Sequence, residues 1–286
     1  MAPISDLRTS GLFDMTDRIA LVTGGGTGIG LMIAHGFAAN GAKVYIGGRR
    51  KHVLEKSAQE FKGAGRLVPI LMDVTDKSSI LAAKDTIAST DGFLDVLVNN
   101  AGQTGPMAFW MADESASQNR HAEAFGAGLF AEDQGGWASV FATNGYSTFF
   151  VTTAFLGLLA KGAARHGAYT ASVINITSMC ASSKIAQAHF AYNATKAAAT
   201  HITRMLATEL ARRKIPVRVN ALAPGVFKSE MTHFALEKGL ESITQLLGMH
   251  AMAGTALWMA SAAGGYLNGQ EILIDGGHAT LNPSRL

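Results

Sequence analysis

Tyr192 and Lys196 are the two residues whose types and spacing best suit acid–base chemistry. They lie four positions apart in a segment with helical apolar spacing, so both side chains project from one helix face. A nearby ammonium group favours a phenolate, and we expect it to lower the tyrosine pKa from its usual value of about 10. The pair therefore predicts a phenol that exchanges a proton with substrate near neutral pH. Because such pairs are also common on helix surfaces, this interpretation depends on the motifs around them.

Two hydroxyl side chains, Thr177 and Ser178, follow the fifth predicted strand. Alternation along a strand lets only one of them face a pocket. No acid–histidine pair accompanies Ser178, so we expect its hydroxyl to hold a substrate oxygen rather than to act as a nucleophile. The nine histidines show no metal-ligand spacing, and no metal is expected.

A glycine cluster occupies the first predicted strand–helix junction. Glycine there permits a sharp turn, a close approach of the backbone to a pyrophosphate, and close packing of helix on strand. The amino end of the next helix offers free N–H donors to phosphates. The position of the cluster predicts a dinucleotide-binding turn, with cofactor contacts from Gly24, Thr27, Gly28, Ile29 and Gly30.

The end of the second predicted strand indicates which dinucleotide binds. A carboxylate at this place bonds the ribose 2′-hydroxyl of NAD, whereas a basic residue accommodates the 2′-phosphate of NADP. The sequence here is Gly47-Gly48-Arg49-Arg50, without an acidic residue, and guanidinium groups bind phosphate bidentately. We therefore expect NADP(H), bound by Arg49 and Arg50. Further cofactor contacts are expected after the third and fourth strands, from Asp73, Val74, Asn100, Ala101 and Gly102.

Strand and helix patterns alternate along the chain. This order predicts a single α/β domain over residues 1–286, with a Rossmann-like, doubly wound parallel sheet of seven strands and helices on both faces. The predicted strands are 18–22, 43–46, 67–72, 94–98, 172–176, 216–221 and 271–274. The predicted helices are 30–40, 51–62, 77–90, 137–162, 191–213 and 251–261. Residues 103–136 and 226–250 interrupt this rhythm after strand ends, so both are expected to flank a pocket.

Composition and charge narrow the class of protein. Hydrophobic residues make up 48% of the 286 residues and charged residues 16%, which allows a large core and suggests a surface partly covered by another subunit. A formal charge of +3 does not indicate nucleic acid binding, and the longest apolar run is too short to span a bilayer. With a single cysteine, Cys180, no intrachain disulfide forms, which favours a reducing compartment. The terminal Ser284-Arg285-Leu286 is close to the Ser-Lys-Leu peroxisomal address, so cytoplasmic and peroxisomal locations both stay open.

Five motifs together resemble the short-chain dehydrogenase/reductase superfamily, in its branch with TGxxxGxG and YxxxK. They occur in that family's order and spacing: TGGGTGIG at 23–30, NNAG at 99–102, Ser178, YNATK at 192–196 and NALAPG at 220–225. The resemblance runs from about Arg18 to Gly277. It implies an NADP-dependent oxidoreductase that acts on CH–OH or C=O groups, a carbonyl reductase with Tyr192 as general acid/base.

The resemblance also assigns roles that spacing alone does not. Asn144 would hold a water that links Lys196 to solvent, and the adjacent Gly145 suits a local helix distortion. Tyr192 and Lys196 would contact the cofactor as well. The helices at 137–162 and 191–213 imply a homodimer or homotetramer. The nicotinamide would lie near Pro224, Gly225, Val226 and Ser229. Residues 226–250, including Lys228, would form a lid over a small-molecule substrate, with an extension at 1–17 and a tail at 278–286.

Three functions fit these expectations. The first is an NADPH-dependent reductase of ketones or aldehydes, or the reverse alcohol dehydrogenase. The second is a reductase of 3-oxoacyl thioesters on acyl carrier protein or coenzyme A, which a peroxisomal address would favour. The third is a non-catalytic NADPH-binding protein, against which the intact Ser178, Tyr192 and Lys196 argue. Residues 103–136 are long for the family and lie near the substrate side, so the substrate is not implied.

Overall fold

One parallel sheet carries the structure, a computed structural model that describes residues 7–166, 170–227, 229–232 and 244–281. The strand order is β3-β2-β1-β4-β5-β6-β7, and every pairing is parallel. The order reverses between β1 and β4, which is the point where open α/β sheets bind ligands. The predicted doubly wound sheet of seven strands is confirmed. The strands are β1 Ile19–Thr23, β2 Lys43–Gly48, β3 Arg66–Leu71, β4 Val96–Asn99, β5 Ala171–Ile176, β6 Val217–Pro224 and β7 Glu271–Ile274.

Helices connect the strands and cover both faces of the sheet. In the described residues they are α1 Thr9–Leu12, α2 Gly28–Ala39, α3 Lys51–Glu60, α4 Lys77–Thr90, α5 Ala122–Phe130, α6 Gln134–Val140, α7 Ser147–Arg165, α8 Phe190–Arg212, α9 Thr244–Ala260 and α10 His278–Leu281. A π-helical turn, Phe141–Tyr146, joins α6 to α7. Short 3-10 turns occupy Phe109–Ala112, Ser117–Asn119, Met179–Ala181, Glu230–Thr232 and Ala262–Gly264.

The core forms two layers, one on each face of the sheet. Alternate residues of β1 enter different layers: Leu21 packs with α4, α7 and α8, whereas Val22 packs with α2 and α9. Strands buried on both faces need continuous apolar runs, as the sequence shows. The apolar run 134–165 is long enough to cross a membrane by length and composition. Half of its most apolar window is buried, and Phe155 is fully buried against the sheet, so it is a core helix.

The structure corrects several predicted boundaries. Helix 137–162 is not one regular helix, because the π-helical turn divides it, and α6 begins earlier because the Asp133 carboxylate accepts from Gly135 N and Gly136 N. Strand β6 extends to Pro224, which pairs with Ile274 of β7. Helix α9 begins at Thr244, inside the predicted lid. Helix α9 packs along α2, where Ala253 lies against Gly36.

Some predicted features lie outside the described residues. They are residues 1–6 of the amino-terminal extension, Lys228 and residues 233–243 of the predicted lid, and the terminal Ser284-Arg285-Leu286.

Candidate active site

A cleft of about 580 Å³ follows the carboxyl ends of the strands. This volume lies within the range of small-molecule sites. The strand ends from β1, β2, β3, β4, β5 and β6 all contribute to its wall, as does the first part of α8. Most of the predicted site residues line it: Gly24, Thr27, Gly28, Ile29, Arg49, Arg50, Asp73, Val74, Asn100, Ala101, Gly102, Ser178, Tyr192, Lys196, Pro224, Gly225 and Ser229.

Three predicted residues do not line the cleft. Gly30 lies behind the glycine turn, where a Cβ would come within 2.3 Å of the Gly24 carbonyl oxygen, so its role is close packing of α2. Asn144 is buried behind the wall, and its role is discussed below. Val226 is replaced in the lining by its neighbour Phe227.

Hydrogen bonds from the residue after β4 fix the conformation of the glycine turn. Gly24 and Gly28 have φ angles of 64° and 51°, in the left-handed region that glycine adopts without strain. Asn100 Nδ2 donates to the carbonyl oxygens of Thr23 and Gly24, at 2.9 and 3.2 Å. The Asn100 N–H donates to Thr23 Oγ1 at 3.0 Å. These bonds tie the two strands together at the switch point and leave the backbone of the turn facing the cleft.

Tyr192 and Ser178 bring their hydroxyl groups together in the cleft. Tyr192 lies in the first turn of α8, and the Ser178 side chain lies close enough to the Tyr192 hydroxyl to act on its pKa. Ser178 Oγ also accepts from Cys180 N at 3.1 Å, which fixes its orientation. The competing hydroxyl, Thr177 Oγ1, instead donates to Leu222 O at 3.3 Å and to Glu271 Oε1 at 3.1 Å. Alternation therefore aims Ser178 and not Thr177 at Tyr192.

Lys196 lies beside the tyrosine, as the four-residue spacing predicts. Its Nζ lies 5.5 Å from the centre of the Tyr192 ring and donates to Ile176 O at 2.8 Å. Burial lowers the pKa of Lys196 to about 8, because the apolar surroundings disfavour the ammonium form. This side chain can therefore change charge near physiological pH.

The expected lowering of the Tyr192 pKa is not what the structure gives. The pKa of Tyr192 lies above its ordinary value, first because burial disfavours the phenolate, and second because the Cys180 sulfur lies nearby; the Ser178 hydrogen bond opposes both. Desolvation is the largest of these contributions to the Tyr192 pKa. Tyr192 is consequently a protonated phenol at neutral pH, which suits donation of a proton to a substrate oxygen.

Asn144 lies in the π-helical turn, so the expected local distortion of the helix is confirmed. Hydroxyl side chains bond to the backbone carbonyl oxygens there, from Ser147 to Thr143 O and from Thr148 to Gly145 O. Asn144 Oδ1 accepts from Gln103 N at 2.9 Å, and Nδ2 donates to Gln103 O at 2.8 Å. The side chain therefore fixes the chain directly after Gly102, at the edge of the cleft. A third bond, at 3.3 Å, reaches Thr195 on the helix of Tyr192.

The two predicted phosphate-binding arginines lie at the far end of the cleft. Both are already next to carboxylates: Arg49 NH1 lies 3.9 Å from Asp73 Oδ2, and Arg50 donates through both terminal nitrogens to Glu230 at 3.2 and 2.8 Å. The pKa of Glu230 lies below its ordinary value, chiefly because Arg50 donates to it and least because of a hydrogen bond from Thr27. Sequence reasoning placed Glu230 in a lid but missed this pairing.

The cleft also contains side chains that the sequence did not single out. Gln103, Thr104 and Met107 follow Gly102, and Thr143 comes from the π-helical turn. Phe227 and Met231 enter from the segment after Pro224-Gly225. The interrupted rhythm of residues 103–136 and 226–250 was a signal for the segments but not for these residues. Together they add mainly apolar and uncharged surface to the wall.

The loop between Ser178 and Tyr192 adopts an unusual backbone. Gln187 and Ala188 have φ angles of 51° and 63°, which residues with a Cβ rarely adopt. Ala188 O accepts from Ala108 N at 2.9 Å, so the long 103–136 segment holds this loop. Cys180 contacts the same loop through Gln187 Oε1 at 3.6 Å, and burial raises the pKa of its thiol. The thiol is therefore a packing group rather than a reactive thiolate.

Comparisons with known proteins agree with this geometry. Residues 18–239 match the family described as short chain dehydrogenase. The chain is 37% identical over 286 residues to the short-chain dehydrogenase/reductase PhomF of Diaporthe leptostromiformis, covering 96% of this chain and 95% of that one. It is 34% identical to the rhamnolipids biosynthesis 3-oxoacyl-[acyl-carrier-protein] reductase of Pseudomonas aeruginosa, covering 93% of this chain and 97% of that one.

A solved structure shows the same fold. The Pseudomonas aeruginosa RhlG/NADP active-site complex superimposes with a TM-score of 0.78 at 32% identity, covering 93% of this chain and 98% of that chain. The chain belongs to the short-chain dehydrogenase/reductase family. It is thus a member of an oxidoreductase family that acts on alcohols and carbonyls with a nicotinamide dinucleotide.

Proposed function

We propose that this chain is an NADPH-dependent oxidoreductase, formed by one domain, that interconverts a carbonyl and an alcohol with Tyr192 as general acid/base. The observation that carries the proposal is that the Tyr192 and Ser178 side chains line the cleft next to each other, with Lys196 beside the tyrosine ring. A binding protein without chemistry has no need of this arrangement. The direction of the reaction follows from the ratio of oxidised to reduced cofactor.

The residues present fit a dinucleotide phosphate. The turn at Gly24 and Gly28 exposes backbone N–H groups at the amino end of α2, where a pyrophosphate is stabilised. Arg49 and Arg50 line the cleft at the end of β2, where the extra phosphate of NADP(H) would lie. The RhlG complex with NADP, similar over nearly the whole chain, supports this choice. When bound, the cofactor supplies or accepts the hydride.

The chain's own residues orient the substrate and move the proton. In the direction of reduction, the Ser178 and Tyr192 hydroxyls bind the carbonyl oxygen, and Tyr192 then donates its proton to that oxygen as negative charge develops. The Lys196 ammonium stabilises the resulting phenolate. Asn144 fixes the cleft wall through Gln103 and is the expected holder of a water that returns a proton through Lys196.

A 3-oxoacyl thioester is the second candidate substrate. The relative from Pseudomonas aeruginosa, which is 34% identical, is named as a 3-oxoacyl-[acyl-carrier-protein] reductase. In this chain, Met107, Phe227 and Met231 give the cleft an apolar lining compatible with an acyl chain. A simple ketone or aldehyde remains the first candidate, because the described residues of the cleft do not identify a group for a carrier or coenzyme.

A homodimer or homotetramer is part of the same proposal. Large apolar side chains are exposed on the outer faces of the paired helices, including Phe149 on α7 and Met205 on α8. Tyr146, at the end of the π-helical turn, extends this surface. Tyr146 and Phe149 both contact the Phe150 ring, so these aromatic side chains form one exposed apolar surface, of the kind that marks contact sites between proteins.

Replacing Tyr192 with Phe tests the proposed chemistry. The change removes the proton donor and one hydrogen bond but retains the ring, so kcat for NADPH-dependent ketone reduction is expected to fall by about 10²- to 10⁴-fold. NADPH binding, measured by nicotinamide fluorescence, is expected to persist. The matched control is Tyr266→Phe, because Tyr266 is fully exposed and does not line the cleft. Undiminished turnover in the Tyr192→Phe variant would reject the assignment, and parallel panels of ketones and acyl-CoA substrates separate the two candidates.

A further inference from the structure

Glu230 occupies a place in the cleft where a carboxylate opposes the proposed cofactor. Its two oxygens accept hydrogen bonds from NH1 and NH2 of Arg50, so both terminal nitrogens of the guanidinium group are already bonded to this carboxylate. The Thr27 side chain in the dinucleotide turn lies close enough to this carboxylate to help lower the pKa of Glu230. Glu230 therefore bridges the end of β2 and the glycine turn, 180 residues away from Arg50 along the chain.

The neighbour of Glu230 reinforces this position. Ser229 lies against the glycine turn, and a Cβ built on Gly28 would come within 3.0 Å of Ser229 Cβ. The segment at 229–230 thus covers the amino end of α2, where the pyrophosphate would be stabilised. Two separate contacts, on Arg50 and on the turn, place one short segment over both anion-binding parts of the cleft.

The charges of Arg50 and Glu230 determine how a phosphate group can bind in this part of the cleft. A 2′-phosphate is an anion and forms its strongest contacts with guanidinium groups in bidentate geometry. In this structure Arg50 is neutralised by Glu230, and Arg49 lies 3.9 Å from the Asp73 carboxylate. A phosphate beside Glu230 would also experience like-charge repulsion. Both effects require the Glu230 carboxylate to leave Arg50 before that arginine can bind phosphate through the same nitrogens.

The structure leaves room for Glu230 to move. A second cavity of about 550 Å³ lies on the other side of this residue, bordered by Leu31, Met32 and Met249. Glu230 lines both cavities and so forms part of the partition between them. Its side chain is 61% exposed, so it can leave Arg50 for solvent without rearrangement of the core.

We propose that Glu230 competes with the cofactor's 2′-phosphate for Arg50, so that binding of NADPH and release of Glu230 are one exchange of anions. Glu230 is then a specificity-determining residue: it weakens the binding of NADPH more than that of NADH, which lacks the 2′-phosphate. This inference rests on the proposed NADPH-dependent function.

A binding experiment on the full chain tests the exchange. Dissociation constants for NADPH and for NADH are measured by fluorescence titration for the wild type, Glu230→Gln, Arg50→Gln and the double variant. Loss of an exposed ion pair of this kind corresponds to an expected gain in NADPH affinity of about two- to fivefold in Glu230→Gln. The gain is expected to disappear in the Arg50→Gln background, because the effect acts through that guanidinium group. Glu55→Gln is the matched control, since Glu55 pairs with Lys51 on the exposed side of α3.

The outcomes separate this inference from the function on which it rests. If the wild type prefers NADPH but Glu230→Gln binds it no better, or more weakly, the competition is refuted and the function stands. The same holds if both cofactors gain equally, or if the gain persists without Arg50. If the wild type prefers NADH, the proposed NADPH dependence fails, and the inference fails with it. A selective gain for NADPH that depends on Arg50 supports both.

Discussion

Truncating Asn144 to alanine offers a quantitative test of how the π-helical turn supports the cleft. The side chain makes three hydrogen bonds: two to the Gln103 backbone, at 2.9 and 2.8 Å, and one to Thr195 Oγ1 at 3.3 Å. Asn144 is 2% exposed, so water does not replace these partners freely. At about 1 kcal/mol for each bond, with a further cost for polar groups left unpaired, Asn144→Ala should lower the free energy of unfolding by about 2–4 kcal/mol.

Urea denaturation followed by circular dichroism measures this loss. A total stability of about 5–15 kcal/mol is typical, so the variant is expected to remain folded at 25 °C. Ser139→Ala is the matched control, because Ser139 Oγ accepts from Nε2 of the same Gln103 at 2.8 Å but in an exposed position. The control should change stability by less than about 0.5 kcal/mol. If the two variants lose the same small amount, the argument that Asn144 fixes the cleft wall is wrong.

Two further predictions concern Lys196 and the packing of α7. The kcat/KM for NADPH in the direction of reduction should be highest below pH 8 and fall as the pH rises through about 8, because Lys196 then loses the charge that stabilises the phenolate. Arginine does not lose its charge in this pH range, so the inflection should be absent in a Lys196→Arg variant. If the variant kept the inflection, the titrating group would be another residue. Gly162→Ala should lower the free energy of unfolding by about 1–3 kcal/mol, because its Cβ would lie 2.1 Å from the Leu94 carbonyl oxygen. Gly157→Ala, with nothing within 4 Å of its Cβ, should instead be neutral or stabilise α7 by up to about 1 kcal/mol in thermal or urea unfolding.

The sheet could be predicted closely because its signals are local. Strands that are buried on both faces need short apolar runs, and these runs are visible in the sequence. Both ends of β2 and of β5 therefore lie within two residues of their predicted limits. The glycine turn was predictable for the same reason, since only glycine adopts the backbone of Gly24 and Gly28 without strain. The start of α9 at Thr244 was missed, because Gly248, a residue unfavourable inside a helix, interrupts the apolar pattern on which the predicted start at residue 251 relied.

The chemistry of the site depends on surroundings that a sequence does not show. Four-residue spacing places Lys196 beside Tyr192, but it does not reveal that Lys196 is buried and Tyr192 half-buried, and desolvation reverses the expected shift of the tyrosine pKa. The pair of Arg50 and Glu230 joins residues 180 positions apart, so it exists only through the fold. The sequence predicted which residue types meet in the cleft, and the structure supplies their charges and partners.

The π-helical turn at Phe141–Tyr146 changes the direction in which the side chains of α7 project relative to those of α6. In a uniform α-helix, eleven residues advance by about three full turns, so Val140 and Val151 would point in nearly the same direction, about 20° apart. One extra residue in a π-helical turn rotates the following segment by roughly 100°, which separates the two directions by about 80°. Val140 can then abut the chain at Gly105 while Val151 enters the layer beneath the sheet. Helix α6, before the turn, therefore contacts the segment on the substrate side of the cleft, and helix α7, after the turn, contacts the sheet.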